Sequence, residues 1–210
     1  MSLENKEIIK CPECGQENDF IVWQSLNTDL NPEAKEQLLN GTLFRFKCAN
    51  CGHESNVTYP ILYHDMSNRL MIYFVKEDEI DEIKKMFEPD SQFGFAIEGY
   101  KRRIVTDQNS LREKAIIFDN GLDDRVVEII KLMYFANLRR SNPEAKVEVA
   151  YFIVDNDEYQ IHFLGETPLV AKLEVSFYKN IARDFASKIE SSEDGYIVDM
   201  QWVLKLLSGK

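Results

Sequence analysis

CPECG at residues 11–15 and CANCG at residues 48–52 are the two stretches that decide the N-terminal fold. Each is a Cys-x-x-Cys turn followed by glycine, and two residues between thiols let both sulfurs bind one tetrahedral metal ion. The glycine takes positive φ without strain, which lets backbone N–H groups of the turn point toward the sulfurs. No other cysteine occurs in the 210 residues. We therefore predict one zinc ion bound by Cys11, Cys14, Cys48 and Cys51.

Other roles for these thiols are weaker alternatives. One of the two CxxC turns could be a redox pair, or all four thiols could be free. Redox pairs of the thioredoxin type, however, need a different surrounding fold. Disulfides are disfavoured because the start, MSLENKEIIK, lacks the apolar core of an export signal, and thiols stay reduced in the cytoplasm. His53 could replace a thiolate, but four thiolates already complete the site. Such a closed site leaves no position for water, so we expect structural zinc.

The 33 residues between the two turns exceed the roughly 15 to 20 of a simple ribbon, and a helical insert explains the excess. In NPEAKEQLLNG, residues 31–41, Asn31 can cap a helix whose first position is Pro32 and whose end is marked by Gly41. Residues rich in β-branched and aromatic side chains flank it. Strands are predicted over residues 20–26, 42–47, 54–63 and 70–75, the last two joined by a turn at residues 64–68.

In the rest of the chain, the spacing of apolar residues is typical of helices in some segments and of strands in others. Asp78 can cap a helix to Phe87 that stops at Pro89, Ser110 and Glu113 form a capping-box pattern, and Asp123 can cap the longest helix, to about Arg140. Asp155-Asn156-Asp157 marks a hairpin. Further predicted elements are an extended stretch at 93–105, a helix from Ser110 to about Phe118 that Gly121 ends, hairpin strands at 147–154 and 159–164, a third strand at 169–175, a helix at 177–189, and an unassigned element at 196–205.

We predict an α+β fold with two domains. Residues 1–77 form a zinc-ribbon-like antiparallel β module with the helical insert. Residues 78–210 form an α+β domain with a long amphipathic helix and a β-hairpin, and the boundary between the two is the least defined feature.

Charge and composition narrow the function classes. The net charge is −11, which argues against nucleic acid, and no window is apolar enough for a membrane helix. We therefore expect a cytoplasmic protein. The basic clusters at 101–103 and 139–140 are typical of a solvated strand and a helix C-terminus. Gly-rich phosphate loops, HExxH and GxSxG are absent from the sequence, so no common catalytic motif is present.

Residues 9–74 resemble the CpXC domain family of bacterial proteins. The similarity is carried by the Cys-Pro-x-Cys turn at 11–14, NPEAKEQLLNG, LFRFKCANCG at 43–52, and YPILYHD at 59–65 followed by MIYF. It extends toward residue 130 through KAIIFDNGLDDRVVEIIKL. The second turn, CANC, departs from the pattern because it has no proline. The resemblance implies a zinc-ribbon-like site and no particular activity.

Several other polar residues are weaker candidates for a functional site. His64 and Asp65 resemble an oriented base, but Asp65 is better explained as a turn residue that accepts from backbone N–H groups. A calcium loop around Asp119, Asp123 and Asp124 fails the EF-hand spacing, and helix ends explain these residues. His162 is expected on a strand face.

The function we favour is a noncatalytic protein–protein interaction or adaptor module, with a protein partner of basic or mixed surface and a possible homo-oligomer. The first alternative is an enzyme whose site lies in residues 90–210 or near His64. The weaker alternative is a nucleic-acid-binding ribbon, for which Trp23, Phe44, Arg45 and Lys47 offer aromatic and basic side chains.

Replacing one ligand tests the zinc prediction. We expect Cys11→Ser to unfold residues 1 to about 75, because the roughly 10 to 16 kcal/mol of metal binding in such small modules is folding free energy. Circular dichroism and zinc content measure the effect. If both stay at their wild-type values, the prediction is wrong.

Overall fold

The computed structural model describes residues 2–88, 91, 98–192 and 195–208. Within them the chain forms ten β-strands and six α-helices, which confirms the predicted α+β class. The chain divides into two compact units, Met1–Arg112 and Glu113–Lys210, and the division falls within one helix. The predicted boundary at residues 77 and 78 stays a prediction.

The first unit contains a five-stranded sheet and a separate two-stranded hairpin. Its strands are β1 (Leu3–Lys10), β2 (Glu17–Asn27), β3 (Arg45–Lys47), β4 (Glu54–Asn56), β5 (Ile61–Asp65), β6 (Leu70–Phe74) and β7 (Lys101–Val105). In this unit the order of the five-stranded sheet is β1-β2-β5-β6-β7, and β3 pairs with β4. Its helices are α1 (Pro32–Asn40), a 3₁₀ turn at Glu77–Glu79, α2 (Ile80–Met86) and the start of α3 (Gln108–Asp119).

The five-stranded sheet is mixed, whereas the sequence predicted an antiparallel module. The hairpins β1–β2, β3–β4 and β5–β6 are antiparallel. β5 joins β2 in parallel, with Ser25 opposite Leu62, and β7 joins β6 in parallel. The parallel pairs arise because the chain leaves the sheet after β2 and after β6 and returns in the same direction.

The second unit is built on a three-stranded antiparallel sheet with the order β10-β9-β8. The predicted hairpin is confirmed, and Asn156 and Asp157 form its two-residue turn with φ of 49° and 62°, the conformation that favours Asn and Asp. The remaining elements are α4 (Asp124–Ser141), β8 (Val147–Asp155), β9 (Glu158–Gly165), β10 (Leu169–Lys172), α5 (Val175–Ser191) and α6 (Met200–Ser208). The unassigned C-terminal element is therefore a helix.

Some predicted helix starts were wrong. Ser110 does not cap α3, because the helix begins two residues earlier and the Asp107 carboxylate accepts from the Ser110 N–H at 2.8 Å. Asp78 lies inside the 3₁₀ turn, where Glu79 instead accepts from the Lys76 N–H at 3.0 Å. Asn31 occupies the N-cap of α1, but its side chain makes no capping bond. Asp123 caps α4 as predicted, accepting from the Arg125 N–H at 2.9 Å.

Some strand limits also differ from the prediction. β3 includes only the last half of the predicted 42–47 strand, and the predicted 54–63 strand is two strands, β4 and β5. The edge strand β1 was missed because almost all of its side chains are exposed and its sequence shows no apolar alternation. Arg103, expected on a solvated strand, is buried at 1% exposure. Residues 93–97 of the predicted extended stretch and Pro89 lie outside the described residues.

No helix among the described residues has the length and apolar character needed to cross a lipid bilayer.

A buried ionic network occupies the second unit. Lys131 Nζ lies 2.9 Å from Glu113 Oε1 and 2.9 Å from Glu128 Oε1, and Lys114 Nζ lies 3.1 Å from Asp124 Oδ2. Burial favours the neutral amine, but these carboxylates outweigh it and raise the pKa of Lys131. Glu113 also accepts from the Phe152 N–H. Glu113 therefore belongs to the buried ionic network of this unit and does not form the predicted capping box.

Removing one cation of this network tests its contribution. We expect Lys131→Met to lower the free energy of unfolding by roughly 3 to 5 kcal/mol, because the buried Glu113 loses its ion-pair partner and Glu128 keeps only Lys114, at 3.4 Å. Urea unfolding measures the change. The matched control is Lys172→Met, whose ion pair with Glu158 is half exposed and is worth at most about 1 kcal/mol. Equal losses in the two variants would show that the buried network adds no special stability.

Candidate metal centre

The four cysteines lie at the ends of two similar hairpins. In the β1–β2 hairpin, the Cys11 N–H donates to the Gln16 carbonyl at 2.9 Å and the Gly15 N–H donates to the Cys11 carbonyl at 2.9 Å. In the β3–β4 hairpin, the Cys48 N–H donates to the His53 carbonyl at 2.9 Å, and the Gly52 N–H to the Cys48 carbonyl at 3.0 Å. The two turns thus repeat the same hydrogen-bond pattern, as their shared CxxCG sequence predicts.

The glycine in each turn has the predicted backbone conformation. Gly15 has φ of 71° and Gly52 has φ of 75°. A Cβ built at either position would meet no atom within 4 Å. The requirement for glycine is therefore conformational and not a matter of space.

The four sulfurs converge on one point. All four Sγ atoms lie within 4.8 Å of one another, and Cys11–Cys51 and Cys14–Cys48 are each separated by 3.6 Å. A tetrahedral ion with bonds of about 2.3 Å to sulfur sets its ligands about 3.8 Å apart. The residues present therefore fit a tetrahedral metal ion, and the structure brings together all four predicted site residues.

Burial differs within the cluster. Cys11 and Cys48, the first cysteine of each turn, are buried, and Cys14 and Cys51 are exposed. Phe46 completes a small core with the two buried cysteines, and Ile9, Phe20 and Val57 pack against it. This apolar layer covers the inner side of the cluster and limits water there.

Backbone donors and neighbouring thiols have opposite effects on the sulfurs. The Cys51 N–H lowers the pKa of Cys48 to about 6, and the Gln16 N–H lowers the pKa of Cys14. The His53 N–H favours the Cys51 thiolate, but partial desolvation of the sulfur and the three neighbouring thiols outweigh it and raise the pKa of Cys51 to about 12. Four thiols this close resist full ionisation by themselves. A divalent cation bound among them would supply the charge that keeps all four deprotonated.

One residue that sequence reasoning missed belongs to this site. Asn18 of β2 accepts from the Ala49 N–H at 2.8 Å, and its Nδ2 lies 3.6 Å from Cys48 Sγ. The only sequence signal was an asparagine inside a strand, where that residue type is depleted.

Other candidate residues lie away from the cluster. Contrary to the predicted turn, His64 and Asp65 end strand β5. Asp65 accepts from the Asn68 N–H at 2.9 Å, as its predicted role in the turn requires. His64 Nε2 lies 3.2 Å from the Tyr100 hydroxyl, and burial lowers the pKa of His64. His162 lies on β9, with Nε2 at 2.8 Å from Gln160 Oε1.

The aspartates weighed as a calcium loop have structural roles. Asp123 caps α4, and Asp124 pairs with Lys114 in the buried network. Among the described residues, the four cysteines form the one group of three or more Cys, His, Asp or Glu side chains arranged to hold a metal ion. His53 is not part of it.

Fold and site together define a β module with two cysteine-bearing hairpins and a cluster suited to a metal ion. The chain matches the family model described as CpXC protein over residues 9–131, which is more than half of its length. It therefore belongs to the CpXC family, as the sequence resemblance indicated. No curated protein and no solved structure matches the chain.

The glycine after the second turn offers a test of the site's geometry. We expect Gly52→Ala to cost about 1 to 2 kcal/mol, because a Cβ strains the left-handed backbone, and so to weaken metal retention about 5- to 30-fold. Competition with a chelator measures the affinity. Gly52→Asn should lose less, because asparagine visits this conformation more readily. Equal retention by wild type and Gly52→Ala would contradict the conformational argument.

Proposed function

We propose that the four thiolates bind one structural zinc ion and that the module they stabilise is a noncatalytic docking module for a protein partner. The observation that carries the first part is the convergence of four sulfurs within 4.8 Å. A set of four sulfur donors selects zinc or iron, and a full tetrahedron leaves no position for a reacting ligand. Reduced thiols suit a cytoplasmic location, which belongs to the same proposal.

A groove beside the metal centre supports the docking part. It has a volume of about 590 Å³ and lies among β1, β2, α1 and β3, with Trp23 and Phe46 among its apolar lining residues. Ile21, also in the lining, is 50% exposed, and Ile8 on the neighbouring strand is 67% exposed. In the strand register Ile8 lies opposite Asp19, so Ile8, Ile21 and Trp23 share one face of the hairpin. Exposed apolar side chains that lead into a groove are typical of a docking surface.

The charges around this groove favour a basic partner. Arg45 and Lys47 lie 4.0 and 2.9 Å from the same residue, Glu54, whose single negative charge offsets one of the two cations. Glu4 and Glu33 also line the groove. Neither carboxylate has a cationic partner among the described residues, and Glu33 accepts only from the Asn31 amide at 3.3 Å. We propose that the occupant is a segment of a partner protein that presents an apolar side chain flanked by lysine or arginine.

The same charges argue against nucleic acid. Trp23, Arg45 and Lys47, three of the residues considered for that function, do line the groove, but Glu4, Asp19 and Glu33 line it with them. Phe44, the fourth, is buried. Asp19 pairs with Lys6 at 2.7 Å, but phosphates would still meet the carboxylates of Glu4 and Glu33, which supports the protein partner over a nucleic acid.

Metal analysis tests the zinc part. We expect about one zinc ion per chain after purification, and none after the cysteines are replaced. An iron-containing protein with strong visible absorption would contradict zinc.

Tryptophan fluorescence tests the docking part. In a Trp202→Phe background, Trp23 is the single tryptophan and reports on the groove. We expect a capped peptide of alternating lysine and leucine to change its emission, and the matching glutamate–leucine peptide to bind much more weakly. Replacing Glu4 and Glu33 by glutamine should weaken the lysine peptide roughly 3- to 30-fold, because two exposed ion pairs are lost.

The control for that experiment is Glu144→Gln, an exposed carboxylate in the other unit. Equal binding of the two peptides would overturn the proposed docking chemistry. Equal weakening by the control and by the groove variant would show nonspecific charge attraction and overturn it as well.

A further inference from the structure

Asn18 lies on one cysteine hairpin and makes contacts with the other. It is on β2, opposite Ile9 of β1, four residues after Cys14. Its Nδ2 donates to the Gln16 carbonyl of the first turn at 2.8 Å. Its Oδ1 accepts from the Ala49 N–H of the second turn at 2.8 Å. One carboxamide therefore joins the two turns through its two ends.

The same amide group also reaches a sulfur. Asn18 Nδ2 lies 3.6 Å from Cys48 Sγ, within the range of an N–H···S hydrogen bond. This donor comes from a different hairpin and is separated from Cys48 by 30 residues. Such a bond fixes the position of the sulfur relative to the first turn, which a donor within the second turn cannot do.

We propose that Asn18 is a positioning residue of the metal centre: it holds the second cysteine turn against the first and donates a hydrogen bond to the Cys48 thiolate. The inference rests on the proposed metal binding by the four cysteines. Groups outside the ligand set that orient ligands in this way usually contribute 10- to 100-fold to metal affinity.

A strand position is otherwise a poor place for this residue. Asparagine is depleted in strands because its short amide competes for backbone hydrogen bonds. Here the amide makes those bonds to the two turns instead of to its own strand. These hydrogen bonds to the two turns offset the unfavourable strand preference of asparagine. They exist only while the two turns lie next to each other, as they do at the metal centre.

Two substitutions separate the functions of the two ends of the amide. Asn18→Asp keeps an oxygen that can accept from the Ala49 N–H but replaces the donor with an anionic oxygen near the Cys48 sulfur. Asn18→Ala removes both ends. The matched control is Asn5→Asp, which adds the same charge to the exposed strand β1 about 13 Å along the hairpin, four residues from the partner of Asn18.

Chelator competition on the zinc- and cobalt-loaded full chain measures the effect. We expect Asn18→Asp to weaken metal binding about 10- to 100-fold, at least as much as Asn18→Ala, and to shift the sulfur-to-cobalt absorption bands. Asn5→Asp should match wild type in both. If Asn18→Asp also matches wild type, the donation to sulfur is overturned. A wild-type chain that binds neither metal contradicts the proposed metal site itself.

A measurement on wild type keeps the inference testable if the variants fail to fold. In the protein loaded with ¹¹³Cd, we expect the Asn18 side-chain amide protons to show a coupling to the metal across the N–H···S bond. Absence of that coupling, with the backbone amides of the turns coupled, would overturn the assignment.

Discussion

The convergence of four sulfurs is the constraint on which the N-terminal unit depends. The hairpin β3–β4 has only three residues in each strand, and an isolated two-stranded hairpin is marginal in water. Its apolar contribution to the site is Phe46, which lies with Cys11 and Cys48 in a core of three residues. So small a core cannot hold the hairpin in place, whereas metal binding in such modules contributes roughly 10 to 16 kcal/mol to folding.

The aromatic residues connect this small core to the large one. Phe20 lies 6.5 Å from Phe46 and 6.3 Å from Tyr59, and Phe44 lies 5.0 Å from Tyr59 and 6.1 Å from Phe74, measured between ring centroids. Phe74 belongs to β6, a central strand of the five-stranded sheet. Packed aromatic rings therefore form a continuous series of contacts from the small core at the cysteines to the sheet.

Features that neighbouring residues determine were mostly predicted from the sequence, whereas features that depend on residues distant in the chain were not. The CxxCG turns, the Gly41 and Asp123 helix ends and the Asn156-Asp157 turn were predicted because neighbouring residues determine them. The start of α3 was misplaced although its cause is local, because Asp107, and not Ser110, accepts a backbone N–H there. The role of Glu113 was missed because a capping box would use it locally, whereas its partners are Lys131, 18 residues away, and the Phe152 N–H. Asn18 was missed for the same reason, since its partner Ala49 is 31 residues away. Side chains that bind distant backbone carry no periodic or spacing signal.

Metal site and groove share a structural element, and this sharing links the two proposed functions. Phe46 and Lys47 line the groove, and the next residue in the chain is the buried ligand candidate Cys48. One wall of the groove is therefore held in place by the same short strand that delivers Cys48 to the cluster. If a metal ion anchors this three-residue strand, its loss would also displace the part of the wall that Phe46 and Lys47 form. The proposed docking surface would then depend on the proposed metal site, although none of the four cysteines lines the groove.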